Sequence, residues 1–302
     1  MTDLTKAALN GEQSAGRRRT RHFVRSLRRS PVGMMGVTIV TLIFLVAVSV
    51  PHLVPFDPVV HNLSARFQPP GYVTEYGTHI LGTDQLGRDI LSRIILGSRV
   101  SVLIGLVAAT IGTTVGVTYG MIAGFGGGWV DSIMMRFADA FLGIPFIVLV
   151  VAISGVVGPG LLTLVLILGL TGWVTCARVT RAQVLVVREL EFVTAARVVG
   201  QKPLMIVMRH VLPNVIGSAI ILAALEVGTV ILAESSLSFL GLGVQPPAVT
   251  WGLMLADGRA YLGDAWWMTT FPGIAITITV LGVVFLGDWL RDVLEPRMTD
   301  VS

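Results

Sequence analysis

The sequence predicts an all-α polytopic membrane protein with six transmembrane helices. Three observations carry that prediction. Hydrophobic residues make up 53% of the 302-residue chain, charged residues only 13%, and the mean hydropathy is +0.80. Such a chain has too little polar surface for a water-soluble domain. Apolar runs near 20 residues recur along it, each long enough to cross a bilayer. Finally, the net charge of +4 is concentrated. Arg17, Arg18, Arg19, Arg21, Arg25, Arg28 and Arg29 all precede the first apolar run. A basic arm (residues 1–31) beside a membrane span fixes orientation and touches anionic lipid, so no nucleic-acid partner is expected.

The first span is expected over residues 32–54, ending near Pro51 and Pro55, with its N-terminus cytoplasmic. It is too long for a signal-peptide core and reads as an uncleaved anchor. Gly11 and Gly16 have the glycine spacing of a phosphate-binding loop, but Arg17-Arg18 stands where Lys and Ser/Thr are needed. The match is coincidental. Residues 55–98 are polar, of mixed charge and rich in Pro and Gly, and are placed outside. Here Gly82, Thr83, Asp84, Gly87, Arg88 and Asp89 precede an amphipathic helix over residues 90–98, with Asp89 placed to cap it.

A core of five further spans is expected over residues 99–291, followed by a cytoplasmic tail, 292–302. In the second span, 100–122, Gly112, Gly116, Gly120 and Gly124 form a small-residue stripe that admits a close helix neighbour. The third, 137–157, is expected to kink at Pro145. Gly158-Pro159-Gly160 turns the chain outside, and the fourth span, 161–174, returns it to Arg178, Arg181 and Arg188. The fifth starts near Val215. At about 1.5 Å per residue, Glu226 lies roughly 18 Å past Asn214, at mid-membrane, and Glu234 roughly 30 Å past it, near the outer interface. A carboxylate at mid-membrane needs a cavity, a partner or a proton. Glu226 and Glu234 are therefore candidates for a translocation path, against the plainer alternative of a buried interhelical hydrogen bond. Trp266 and Trp267 read as an aromatic belt before the last span, 271–290.

Between the fourth and fifth spans, residues 188–214 have a helix–turn–helix pattern. Phe192, Ala195, Ala196 and Val199 are able to share one helix face, Gly200 breaks the helix, and Pro203 suits the first turn of the next. That second helix is expected to give way before Pro213, which restrains Leu212. Glu191 opens the segment. The single cysteine, Cys176, excludes an internal disulfide and makes a thiolate metal site improbable, and no metal site is assigned. No HExxH, paired CxxC or Gly-x-Ser-x-Gly pattern occurs, so no catalytic residues are assigned and the chain is not expected to be an enzyme.

Ala195-Ala196, Gly200 and Leu212-Pro213 resemble the EAA loop of ABC-importer permeases, with Thr194 where that motif has Glu and His210 where it has an aliphatic residue. GTDQLGRD (82–89) with the following LSRIILGSRVS, the run 119–145, and ESSLSFLGLG (234–243) resemble the dipeptide, oligopeptide and nickel branch of the same permeases, its C-type subunit in particular. The resemblance implies a type I importer fold, with residues 188–214 as a coupling helix seated in a cytoplasmic ATPase. Within Gly82–Asp89, Asp84, Arg88 and Asp89 are candidates to contact the binding protein, to seal the outer gate or only to shape the loop. The resemblance also implies a heterodimer with a second, related permease, two cytoplasmic ATPases that use ATP and Mg, and an external substrate-binding protein. This chain would bind no cofactor itself. Di- or oligopeptides are the expected cargo, in a multi-pass protein of the plasma membrane with both termini cytoplasmic. Nickel or another small solute is the alternative cargo. A proton-coupled carrier using Glu226 and a hydrolase using Ser235 or Ser238 are the alternative classes.

Overall fold

The computed structural model describes residues 25–158 and 160–294. The glycine pair near residue 11, the arginines up to Arg21, Pro159 and Arg297 lie outside the described residues. The first span is α1 (Pro31–Val48), capped by Ser30, whose hydroxyl accepts the Gly33 N–H at 3.0 Å. A short helix, α2 (Val50–Leu53), follows it. The outer segment contains one antiparallel pair of three-residue strands, β1 (Tyr72–Thr74) and β2 (Gly77–His79).

The expected boundary between outer loop and second span at residue 98 is not a structural break. One helix, α3 (Ile90–Gly126), runs 37 residues from the outer loop to the inner turn. Its start is fixed as anticipated: Asp89 accepts the Ser92 N–H at 2.7 Å. Nothing in residues 90–126 removes a backbone donor, so the helix has no reason to stop where hydropathy rises.

The third crossing is broken rather than kinked. Helices α4 (Gly128–Leu142) and α5 (Phe146–Val157) meet at 84° across a short break that contains Pro145. The fourth is also interrupted, α6 (Leu161–Gly169) giving way to α7 (Trp173–Val187) around Leu170–Gly172. Among the described residues, five helical runs are long and apolar enough to cross a membrane, and counting the bent pair as one crossing gives six.

Residues 188–214 fold as helix, turn and helix, but the second helix does not end at Pro213. Helices α8 (Glu191–Val198) and α9 (Pro203–Ile206) flank the turn. A π-helical segment, Val207–Val211, then leads directly into α10 (Leu212–Phe239). The wider π turn absorbs the proline. The Leu212 N–H reaches back to the Val207 carbonyl, and the Asn214 side-chain amide donates to the His210 carbonyl at 2.6 Å. The last helices are α11 (Trp251–Gly258) and α12 (Trp267–Leu294).

Helix α3 runs against α7 and α10, while α12 packs on α1, α10 and α11. The glycine stripe makes the first of these contacts possible. A Cβ on Gly116 would fall 2.6 Å from the Cys176 Cβ, one on Gly112 2.9 Å from the Gly169 carbonyl, and one on Gly124 2.9 Å from the Val184 Cβ. Without side chains on that face of α3, the two backbones approach until their remaining atoms touch. Trp267 departs from the expected belt. Its indole is buried and donates to the Thr83 carbonyl at 3.0 Å, so of the pair only Trp266 is exposed.

Candidate functional site

Three places on the chain gather the residues singled out by the sequence. They lie at the turn between α8 and α9, in the middle of the helices, and in the segment that precedes α3.

At the inner turn, Gly200 ends α8 with φ +80°. The Gln201 N–H bonds the Ala196 carbonyl at 3.1 Å and the Gly200 N–H bonds the Arg197 carbonyl at 3.0 Å. This pair of bonds is a Schellman cap, which requires a left-handed residue at the position of Gly200. Lys202 then turns the chain and Pro203 opens α9, where its missing N–H costs nothing. His210 Nε2 lies 3.1 Å from Gln201 Oε1 and fastens the turn to the π segment.

Of the four residues expected to share a face of α8, Ala196 alone is buried. Val193 and Ala196 face inward and pack with Val184, Ile206, Val211 and Val215. Burial of a valine side chain alone contributes roughly 1.5–3 kcal/mol. Phe192, Ala195 and Val199 are exposed, as are Glu191, Thr194 and Gly200. Leu212 is half-buried and Pro213 exposed. The result is an apolar knob of Phe192, Val198, Val199, Leu204, Met205 and Met208, with Val198 83% exposed.

The knob is anchored to the inner end of α3 by two arginines that the sequence reading did not assign to it. Arg188 Nη1 donates to the Gly124 carbonyl at 2.7 Å, and the Arg197 guanidinium sits 5.5 Å above the Phe125 ring. Beside it, Arg181 forks onto Asp131, and Arg178 bonds Asp139 at 2.5 Å. The charge alternation Asp131, Asp139, Arg178, Arg181 was visible in the chain, but which pairs form depends on α4 lying beside α7.

Midway along α10, Glu226 borders a cavity of about 180 Å3 together with Thr113, Gly172, Thr175, Cys176, Leu222, Leu225 and Thr229. Three helices, α3, α7 and α10, thus contribute polar atoms around one carboxylate. The interruption between α6 and α7 makes the room. A Cβ on Gly172 would overlap the Glu226 carboxylate. Glu234 is enclosed: it is 0% exposed, and its carboxylate accepts from Ser238 Oγ at 2.7 Å. It sits about two turns along α10 from Glu226. The serines near it, Ser235 and Ser238, bond Glu234 and the helix backbone.

On the outer side, the GTDQLGRD segment is turned inward. Thr83, Asp84 and Asp89 are buried, Asp84 at 2% exposure. One Asp84 carboxylate accepts the Leu86 N–H at 2.8 Å, the Arg88 N–H at 2.9 Å, Arg88 Nε at 2.7 Å and Arg93 Nη1 at 2.6 Å. Asp257 of α11 shares Arg93 at 3.3 Å and Arg88 at 3.6 Å. Asp89 pairs with His79 at 2.9 Å as well as capping α3. Thr83 Oγ1 donates to the Ala65 carbonyl at 2.5 Å. The segment, with Gly82 and Gly87 at its turns, therefore folds the outer loop onto α3 and α11. Its carboxylates, Asp84 and Asp89, are enclosed in this arrangement. Arg93 and Asp257 complete the network and were not singled out, because 164 residues separate them.

The described residues thus form a helical membrane protein with an exposed apolar knob beside one turn and a hollow bordered by Glu226 between its helices. Comparison with known proteins places it in a family. Residues 116–300 match the family described as binding-protein-dependent transport system inner membrane component, and the chain belongs to that family. Residues 19–70 match the N-terminal transmembrane domain of oligopeptide transport permease C. The dipeptide transport system permease protein DppC of Bacillus subtilis (strain 168) is 40% identical over 91% of this chain and 84% of its own. The oligopeptide transport system permease protein OppC of the same organism is 38% identical over 90% of this chain and 87% of its own. The inward-facing MetNI methionine ABC transporter shares the fold, with a TM-score of 0.55 and 20% identity over 68% of this chain and 97% of that chain. The chain is thus a multi-pass inner-membrane permease of the ABC-importer type, which implies a substrate-binding protein and an ATPase as partners.

Proposed function

We propose that this permease forms half of the translocation path for di- or oligopeptides in an ATP-driven importer. The cargo follows the names of its relatives, DppC and OppC, across nearly the whole chain. The other half of the path comes from a second, related permease. Two cytoplasmic ATPases supply the energy from ATP and Mg, and an external binding protein delivers the peptide. Both termini are cytoplasmic, as the basic arm favours.

One observation carries the mechanism. The exposed knob of residues 188–214 is continuous, through the π segment, with the helix that bears Glu226. A push on Leu204 by an ATPase is delivered along that helix without an intervening loop, and one on Phe192, Val198 or Val199 reaches it across the capped turn at Gly200. The Gln201–His210 contact and the anchors at Gly124 and Phe125 keep the knob from yielding on its own. ATP-driven closure moves the helix, and the surface around Glu226 changes its access from one side of the membrane to the other. The permease itself carries out no covalent chemistry.

The test is reconstitution. The assembled complex in proteoliposomes takes up peptide only with ATP inside and the binding protein outside. Uphill uptake by the isolated chain, or uptake driven by a proton gradient without ATP, would overturn this function.

A further inference from the structure

The inner ends of the first and last spans enclose a pocket of about 560 Å3, lined by Arg25, Ser26, Arg29, Ser30, Trp289 and Asp292. Its geometry is set by the tight seam between α1 and α12. A Cβ on Gly33 would lie 2.5 Å from Trp289 Cγ, and one on Gly36 would lie 2.5 Å from the Leu286 nitrogen. The indole therefore rests on bare backbone and holds the α12 end, with Asp292, opposite the turn that precedes α1.

Arg25 and Arg29 are four residues apart in the helical stretch 25–29, so they share a face. Ser26 and Ser30 follow each of them at the same spacing. The Ser30 oxygen already accepts the Gly33 N–H, which leaves its proton available to donate. Among the described residues, neither arginine is in an ion pair, with Asp292 or any other carboxylate. Two guanidinium groups and two hydroxyls thus converge on one space with a single carboxylate across from them. The pocket stands immediately before the apolar helix Pro31–Val48, at the depth of lipid head groups.

We propose that this pocket binds the head group of a phosphatidylglycerol-type lipid. Arginine forks match phosphate oxygens in geometry and charge. Basic pockets between transmembrane helices on the cytoplasmic side take up anionic head groups. The space is larger than a phosphate needs, and Asp292 gives it a second requirement. A carboxylate there repels a further negative charge but accepts a hydroxyl. A glycerol head group meets both conditions, with its phosphate on Arg25 and Arg29 and its hydroxyls towards Asp292. Trp289 supplies an interfacial aromatic wall. The choice of the inner leaflet rests on the orientation proposed above; the site itself does not depend on the cargo.

Native mass spectrometry of the full chain in mild detergent tests the assignment, with dioleoyl-phosphatidylglycerol and dioleoyl-phosphatidylcholine as probes. Phosphatidylglycerol should be retained in preference to phosphatidylcholine. Arg25→Gln with Arg29→Gln should weaken its retention about thirtyfold, the product of two basic contacts at a membrane surface. Arg25→Lys with Arg29→Lys should keep most of it, which separates charge from fold. The control pair Arg136→Gln with Arg209→Gln removes the same charge from exposed positions elsewhere and should leave retention unchanged. Equal retention of both lipids, loss in the control pair equal to that in the Arg25/Arg29 pair, or displacement of the lipid by millimolar inorganic phosphate would each overturn the proposal.

Discussion

The carboxylate of Glu226 occupies the space that a side chain on Gly172 would need. Helix α10 and the break between α6 and α7 are therefore in register, and the missing Cβ at residue 172 gives the carboxylate its place beside the 180 Å3 hollow. Gly172→Ala should destabilise the chain by about 1–3 kcal/mol, as overpacking does. In the background of Glu226→Ala the same change should cost at least about 1 kcal/mol less. Thermal melting of the four variants in detergent gives the coupling directly, and simple additivity would separate the two residues.

Glu226→Gln keeps the shape of the cavity wall and removes the charge. Assembly with the partner subunits should be normal, while peptide uptake should change about tenfold, equivalent to roughly 1.4 kcal/mol on the transport barrier. Loss of assembly would instead make Glu226 a packing residue, and unaltered uptake would remove it from the path.

Cysteine placed at Ala195 or Val199 should cross-link to a cysteine on the ATPase surface, with a yield that responds to ATP. Both positions are exposed on α8, whereas Ala196 is turned into the Val193 cluster and should cross-link poorly. A strong cross-link at Ala196 and none at Ala195 or Val199 would place the docking face on the other side of the helix.

At Gly200 nothing stands within 4 Å of where a Cβ would be, so substitution there meets a backbone penalty and no clash. At φ +80°, Gly200→Ala should cost about 1–2 kcal/mol of local stability. Gly200→Asn should cost less, because Asn tolerates the left-handed region. The readout is ATPase stimulation by the binding protein. It should fall in the order Gly, Asn, Ala, and an equal response of all three would show that the turn does not transmit.

Asp84→Ala leaves the Arg93 guanidinium, 3% exposed, with only the more distant Asp257. A destabilisation of about 3–5 kcal/mol is expected for stranding a buried charge. Asp139→Asn at the inner surface breaks an exposed pair and should cost at most about 1 kcal/mol. Melting temperatures of the two variants compare the networks. Similar small shifts would mean that the outer network is ornamental to the fold.

Hydropathy located the spans because length and composition are enough for that. The mid-chain glycine stripe and the caps at Asp89 and Gly200 were legible for the same reason: each is a local rule about one backbone. The errors came where a local rule met a neighbour. Pro213 argued for a helix end, but a π segment and the Asn214 side chain let the helix pass. Which side of α8 packs was not legible: Val193 faces inward because Ile206, Val211 and Val215 lie on that side. The sequence left Asp84 between a partner contact, a gate and a loop-shaping role, and could not show that Arg93 and Asp257 gather around it.

By itself, then, the sequence determined a helical permease of five crossings, six with the bent pair counted as one, and its capped turn at Gly200. These depend on the rise of a helix, the thickness of a bilayer and the torsions of single residues. Only the tertiary structure decided that Glu226 borders a hollow while Glu234 is enclosed, that the outer acidic motif looks inward, and that the inner knob is one piece with a membrane-crossing helix. Those outcomes depend on which distant helices touch, and no periodicity along one strand of chain encodes how closely two backbones approach.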